Sequence, residues 1–304
     1  MDRRSWTWLL VLGAIWGASY MFIEFGLRDM SPGVIAWLRV ALAAAVLLPL
    51  AAIRGALAGV RSRIGWLFVV GSIQVAAPFV LIAQGQEEIT SSLAGILVAS
   101  APLFTALLAV RLDQEERSRG LRLVGVMVGF GGVAVLLGLD LGGEGAALLG
   151  GLMVVLASLG YAVGGFIVKN RLTGIAPLGM SATVLLVSTL VLAPVAVVTA
   201  PDAVPGIGPL AAVTALGVVG TGAAFVIIFW LISTAGPARA WIVTYIAPAF
   251  AVVYGATLLD ERIEPPTIAG LVLILGGCWL AAEGRLPGRS AATTTEPVVI
   301  EERT

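Results

Sequence analysis

The chain has no histidine, one lysine and one cysteine among its 304 residues. The lack of imidazole excludes His-based proton relays, imidazole metal sites, Ser-His-Asp and Cys-His catalysis, and the H-E-x-x-H zinc motif. The sole lysine, Lys169, stands in no G-x-x-x-x-G-K-[ST] loop, so nucleotide hydrolysis by that route is excluded as well. A single cysteine, Cys278, cannot form an intramolecular disulfide, and its place inside an apolar run reads as a buried bystander. Charge is also scarce. Only 12% of residues are charged and 59% are hydrophobic, against roughly 25% and 45–50% in a soluble domain. The formal net charge of zero points to no nucleic-acid partner. No residue set calls for a metal or a cofactor.

What the chain does have is apolar length. Ten runs, each near the roughly 20 residues needed to cross a hydrocarbon core, occupy 6–25, 31–53, 64–84, 92–112, 121–139, 146–168, 178–200, 210–232, 237–259 and 266–282. The expected fold is all-α and integral to the membrane, with the lipid bilayer as an obligatory partner. The tail, 285–304 ("LPGRSAATTTEPVVIEERT" after Arg285), is polar and predicted to be disordered. The first run follows "DRR" and contains "GAS", features shared with secretory leaders. It continues to Phe25, however, and belongs to a repeat that its removal would break.

Cations sort by side. With the N-terminus inside, 15 of the 18 Lys+Arg residues fall on the N-terminus, the even-numbered connections and the tail. Only Arg28 and Arg262 fall on the opposite face, and Arg39 lies within the second run. The positive-inside rule therefore predicts both termini to be cytoplasmic.

The sequence is written twice. A shift of 145 carries Pro32 to Pro177, Pro49 to Pro194, Glu116 to Glu261, Gly125 to Gly270 and Gly131–Gly132 to Gly276–Gly277. A shift of 146 carries Gly71 to Gly217, Phe79 to Phe225, Pro102 to Pro248 and Phe104 to Phe250. Leu, Ala and Val match anywhere in such a chain; proline, glycine and glutamate in one order do not. The halves are 6–139 and 146–284, with five runs each. An odd number of crossings inverts the second half relative to the first. Inverted halves can exchange conformations and so open a central site to each side in turn.

Two units ending in "APLFTALLAV…EER…GVMVGFGGVAVL" and "APAFAVVYGATLLDER…AGLVLILGGCWLAA", after the opening "LGAIWGASYMFIEFGL" and "SPGVIAWLRVALAAAVLLP", resemble the EamA-like members of the drug/metabolite transporter superfamily. The resemblance covers about residues 8–284. It implies ten helices in two inverted five-helix repeats in the inner (plasma) membrane. It further implies an exporter of small metabolites, often amino acids or related compounds, with a central cavity between the halves. One departure is Val184, which stands where the repeat places a counterpart to Arg39.

Candidate substrate-binding residues are the polar and aromatic side chains inside the runs. Trp16, Tyr20 and Glu24 recur every four residues, so they share one face of the first helix. An acid near hydrocarbon turns toward protein or water; Glu24 could meet an amino group or carry a coupling proton, or else pair with Arg28 or Arg39. Arg39 lies two turns into helix 2, where it could pair with Glu24 or receive a substrate carboxylate. Gln74 could orient substrate or bond between helices. Tyr161, Trp241 and Tyr245 supply amphipathic aromatic surface. Trp6, Trp8 and Trp66 read as interfacial anchors.

Pro102 and Pro248, near the midpoints of runs 4 and 9, remove backbone donors and are candidate hinges, with a fixed packing kink as the alternative. The pairs Gly13 and Gly17, Gly125 and Gly129, and Gly160 and Gly164 permit close helix contact. Glu116 and Glu261 are expected to favour the amino ends of helices 5 and 10. A nucleotide-sugar or sugar-phosphate carrier would need several cations in the cavity, and only Arg39 is there. The carboxylates form no spaced intramembrane pair, which argues against an enzyme. A channel or non-transporting scaffold would share these features, and vesicle counterflow separates it from a carrier.

Overall fold

The computed structural model describes residues 1–112, 121–140 and 145–283; the expectations for Glu116 and for the tail lie outside them. The described residues form ten apolar helical spans. They are α1 Arg3–Leu27, α2 Pro32–Ile53, α3 Arg61–Gly85, α4 Ser91–Ala109, α5 Leu121–Gly138, α6 Gly145–Arg171, α7 Pro177–Val198, α8 Ile207–Ala235, α9 Val243–Leu258 and α10 Pro265–Ala282. Nine are long enough to cross a bilayer unaided, and α9 is preceded by the short helix Pro237–Ala240. We call the face on which α1 begins the basic face and the opposite one the far face. Helix starts follow local chemistry. Asp2 accepts from the Ser5 amide at 2.9 Å, and Ser5 holds its carboxyl below the ordinary range. Ser31 precedes Pro32 in the first turn of α2, and Thr90 caps α4. Large apolar side chains such as Leu149, Leu190, Met127 and Phe68 remain exposed around the bundle, as lipid-facing surface should.

The packing carries a pseudo-dyad. α2 packs on α7 and α5 on α10, each helix against its own repeat equivalent; α1 packs on α9 and α8 as α6 packs on α4 and α3. At the α5–α10 seam a Cβ on Gly125 would come within 2.7 Å of the Gly277 carbonyl, and one on Gly132 within 3.0 Å of the Gly270 carbonyl. Because the 145 shift carries Gly125 to Gly270 and Gly132 to Gly277, this contact is self-complementary, as a two-fold interface must be. At Gly131 and Gly276, the other members of the two doublets, an added Cβ would meet nothing within 4 Å. The other glycine pairs also fall at seams. Gly13 and Gly17 meet Ile246, Ala247 and Phe250 of α9, while Gly160 and Gly164 meet Ile73, Pro78 and Gln74 of α3.

Two spans depart from uniform α-helix in the same place. α3 makes a π-helical stretch at Gly71–Ala76 and α8 one at Val218–Ala223. Gly71 approaches the Val184 carbonyl of α7 as Gly217 approaches the Arg39 carbonyl of α2, both at 3.1 Å from an added Cβ. The expected correspondence of Arg39 with Val184 therefore holds in space.

The prolines behave differently from one another. α4 breaks at Ala99 and Ser100, between Ser91–Val98 and Ala101–Leu112, so Pro102 sits in the first turn of the second segment. The carbonyls freed there are occupied within the protein. The Ser158 hydroxyl lies 3.2 Å from Leu97 O and 3.4 Å from Val98 O, alternative acceptors for its one proton, and Cys278 Sγ donates to Ala99 O at 3.3 Å. Pro248 lies inside continuous helix, and the chain instead turns at Trp241 and Ile242, before α9. Cys278 is thus more than a bystander, since its thiol closes the break in α4.

α4 also changes neighbours along its length. Its first segment, in which Ser91 to Leu97 are all buried, packs on α9 at the far face. Its second segment packs on α6, α10 and α5. α4 and α9 are together at the far face and part toward the basic face.

Candidate functional site

Arg39 occupies the corner where α2, α3 and α8 meet. It lies about 10 Å into α2 at 1.5 Å per residue, too deep for its charge to be left without compensation. Its Nε donates to Thr221 Oγ1 at 2.9 Å. Thr221 can take this bond because it stands in the π-helical stretch of α8, where its hydroxyl donates to the Leu216 carbonyl at 3.1 Å and keeps a lone pair for Arg39. The guanidinium carbon lies 3.8 Å from the centroid of the Phe79 ring on α3, a cation–π arrangement. Tyr20 of α1 and Tyr161 of α6 are near enough to sense its charge. No carboxylate among the described residues forms a salt bridge with it.

The Glu24–Arg39 pair considered from the sequence does not form. The charged neighbours of Glu24 are Arg28 and Glu261. The physical reason is that α1 and α2, although joined by a short turn, hardly pack together: α1 lies against α9 and α8, and α2 against α7.

Of the aromatic candidates, Trp16 and Trp241 meet across the halves as a stack, with centroids 6.4 Å apart and planes at 29°. Trp241 is 49% exposed, at the turn where α9 parts from α4. Tyr20, Tyr161 and Tyr245 all border the core cluster that contains Leu93, Ile96 and Leu97 of α4. Gln74 lies elsewhere, on the π-helical stretch of α3 with its stem against Gly164 of α6. The site thus draws Arg39, Tyr20 and Tyr161 together, sets the Trp16–Trp241 stack on the α1–α9 seam, and leaves Gln74 at the α3–α6 seam. Trp66 receives the Arg171 guanidinium at 5.0 Å, and Trp8 packs edge-on to Trp230, consistent with anchors near one membrane face.

Sequence reasoning missed Thr221 and the use made of Phe79, whose one signal in the sequence is its repeat match to Phe225. It also missed Trp37, whose indole N–H is buried without a hydrogen-bond partner, and Gln86, a buried residue at the far-face end of α3. Gln86 donates through Nε2 to the Tyr20 carbonyl at 2.9 Å. Two shallow apolar grooves beside the start of α8 are lined by none of the candidate residues.

The expectation for Glu261 is corrected. It sits on the amino end of α4, not α10. Its Oε1 accepts from the Ser91 amide at 2.8 Å and its Oε2 from the Ser92 amide at 3.1 Å and from the Ser92 hydroxyl. The turn after α9 explains this. Asp260 takes a left-handed conformation (φ 53°), which aspartate tolerates better than most side chains, and the Glu261 amide returns to the Gly255 carbonyl at 3.0 Å.

Among the described residues, ten apolar helical spans in two inverted five-helix repeats form the architecture of a membrane transporter. The chain belongs to the EamA-like transporter family, whose model matches twice, over residues 4–138 and 148–282. It is similar to an uncharacterized transporter of Archaeoglobus fulgidus, at 24% identity over 93% of this chain and 100% of that protein. It is also similar to the uncharacterized inner membrane transporter YedA of Escherichia coli K12, at 28% identity over 84% of this chain and 83% of that one. A probable amino-acid metabolite efflux pump of Escherichia coli K12 is 26% identical over 56% of this chain and 55% of its own. A solved crystal structure shares the fold, with a TM-score of 0.66 at 18% identity, covering 92% of this chain and 98% of that one.

Proposed function

We propose that this transporter is a secondary-active exporter of small metabolites, such as amino acids or related amphipathic and aromatic compounds. It would work by alternating access through a central cavity between the inverted repeats. The observation that carries the reading is Arg39: a guanidinium deep among the helices, held by a neutral hydroxyl and an aromatic face, with no carboxylate among the described residues to neutralise it. Such a cation retains its capacity for a bidentate carboxylate ligand. Tyr20 and Tyr161, close to Arg39, would border that ligand, and the Trp16–Trp241 stack offers aromatic surface where α4 and α9 part. The printed name of the partial relative, an amino-acid metabolite efflux pump, supports the same substrate class.

In this reading the basic face is cytoplasmic, following the distribution of arginine, and both termini lie there. The two repeats occupy 6–139 and 146–284. Pro102 and Pro248 mark the helices that move. Glu24, beside Glu261, is the group available to carry a coupling proton. The test is counterflow in reconstituted vesicles over an amino-acid panel. The expected result is substrate-dependent flux in the parent and its loss in Arg39→Ala. Equal flux from a correctly inserted Arg39→Ala protein sinks the assignment of Arg39, and the absence of flux across the whole panel sinks the exporter reading.

A further inference from the structure

The contacts that hold the two halves together differ between the faces. At the far face, Glu261 of the second half takes three hydrogen bonds from Ser91 and Ser92 at the start of α4 in the first half. Nearby, Ser31 Oγ donates to Thr199 O at 2.8 Å, and the Gly206 amide donates to Asp29 Oδ2 at 2.7 Å. The repeat relation says what the basic face could offer in return. Ser91 and Ser92 correspond to Pro237 and Ala238, which have no hydroxyl and, at the proline, no N–H. Ser31 and Thr199 correspond to Ala176 and Arg54, and Asp29 and Gly206 to Gly174 and Arg61. The Ser31 and Asp29 pairs cannot repeat the bonds their counterparts make, and of the three bonds to Glu261 only the one from the second amide has a donor at the corresponding position, Ala238.

We propose that Glu261 is the latch of the far-face gate: its carboxylate, seated on the amino end of α4, holds α4 against α9 there, and outward opening requires its release. The surrounding construction serves that placement. A side chain at Gly255 would collide with Ser92 Oγ and the Glu261 carboxylate, so glycine there leaves the seat open. The left-handed turn at Asp260 aims Glu261 across the gap, away from its own helix. Both carboxylate oxygens are engaged by α4, so the negative charge is compensated by backbone donors and the favourable end of the helix dipole. Pro237 and Ala238, at the positions of Ser91 and Ser92, lack both hydroxyls and one of the two amides, so the sequence favours the latch at the far face. The empty carrier rests closed outward and open inward, the form that loads cytoplasmic substrate.

This inference rests on alternating access but not on any substrate, and its test needs none. In a Cys278→Ser background, spin labels are placed on cysteines at the exposed positions Glu87 and Leu258, beside the start of α4 and at the end of α9. Pulsed EPR on the full chain in lipid nanodiscs then reports the far-face distance. The parent should show chiefly the short distance. Glu261→Gln should raise the ratio of long to short distance about tenfold, the scale of a lost charge-assisted bond. Ser92→Ala, which leaves both amide bonds, should raise it about threefold. Glu116→Gln, the repeat counterpart, should not raise it. Superimposable distributions for parent, Glu261→Gln and Ser92→Ala overturn the latch; if Glu261→Gln does not insert, Ser92→Ala decides alone. A distance shift without substrate flux keeps the latch and removes the exporter reading. Flux without a shift removes the latch only.

Discussion

Two corners of this molecule are related by the pseudo-dyad and filled with opposite chemistry. In one, Arg39 of α2 meets Thr221 of α8 and lies on Phe79 of α3. In the other, the repeat equivalents are Val184 of α7, Val75 of α3 and Phe225 of α8, and the two valines are buried in one apolar cluster. The backbone is shared down to the π-helical stretch and the glycine approach. Architecture is therefore duplicated while the chemistry of these two corners is not: the cation stands at one of them only.

The sharpest way to break the comparison is to charge the apolar corner. Val184→Arg places a guanidinium opposite Val75 with no acceptor, at a cost of about 2.5–3.5 kcal/mol for a charge at the centre of a span. Loss of most of the inserted, monodisperse protein in detergent is expected. Adding Val75→Thr should recover part of that yield by rebuilding the hydroxyl partner. Next in size, Arg39→Ala should lower counterflow at least tenfold while leaving the yield near parental, since alanine relieves a buried charge as it removes the ligand. Thr221→Val removes one hydrogen bond to a charged group, worth about 1.5–3 kcal/mol; a rise in KM of about tenfold or more is expected, and an unchanged KM would show that Thr221 does not position Arg39. Smallest, Phe79→Leu loses a cation–π contact of ~0.5–2 kcal/mol and should raise KM severalfold. Phe225→Leu at the apolar corner should leave KM unchanged.

The parts of this picture legible in the sequence are those with large, local signals. Ten apolar runs and a doubled order of Pro, Gly and Glu yield the spans and the inversion, because crossing a bilayer is a matter of length. Arg39 is visible because a cation in hydrocarbon demands an explanation. Thr221 is not, because Ser and Thr in membrane helices commonly bond back to their own helix. Thr183, Ser188 and Thr189 do so here and differ from Thr221 in nothing a sequence displays. Trp16 and Trp241 are each legible, but their meeting depends on which helices are neighbours. That dependence also defeats the Glu24–Arg39 pair and the placing of Glu261 on α10: tertiary packing sends α1 to α9, and the turn at Asp260 sends Glu261 to α4.

The glycine doublets divide by what surrounds them. Gly132 and Gly277 lie where two backbones touch, so no rotamer change can absorb even a methyl group there: Gly132→Ala should disrupt assembly, and Gly131→Ala should not. The match of Gly132 with Gly277 could thus have been imposed by the seam alone. Gly131 and Gly276 face open space, and packing supplies no reason for either. Their agreement records ancestry: these two residues, by carrying no mechanical duty, are the better witnesses that one half was copied from the other.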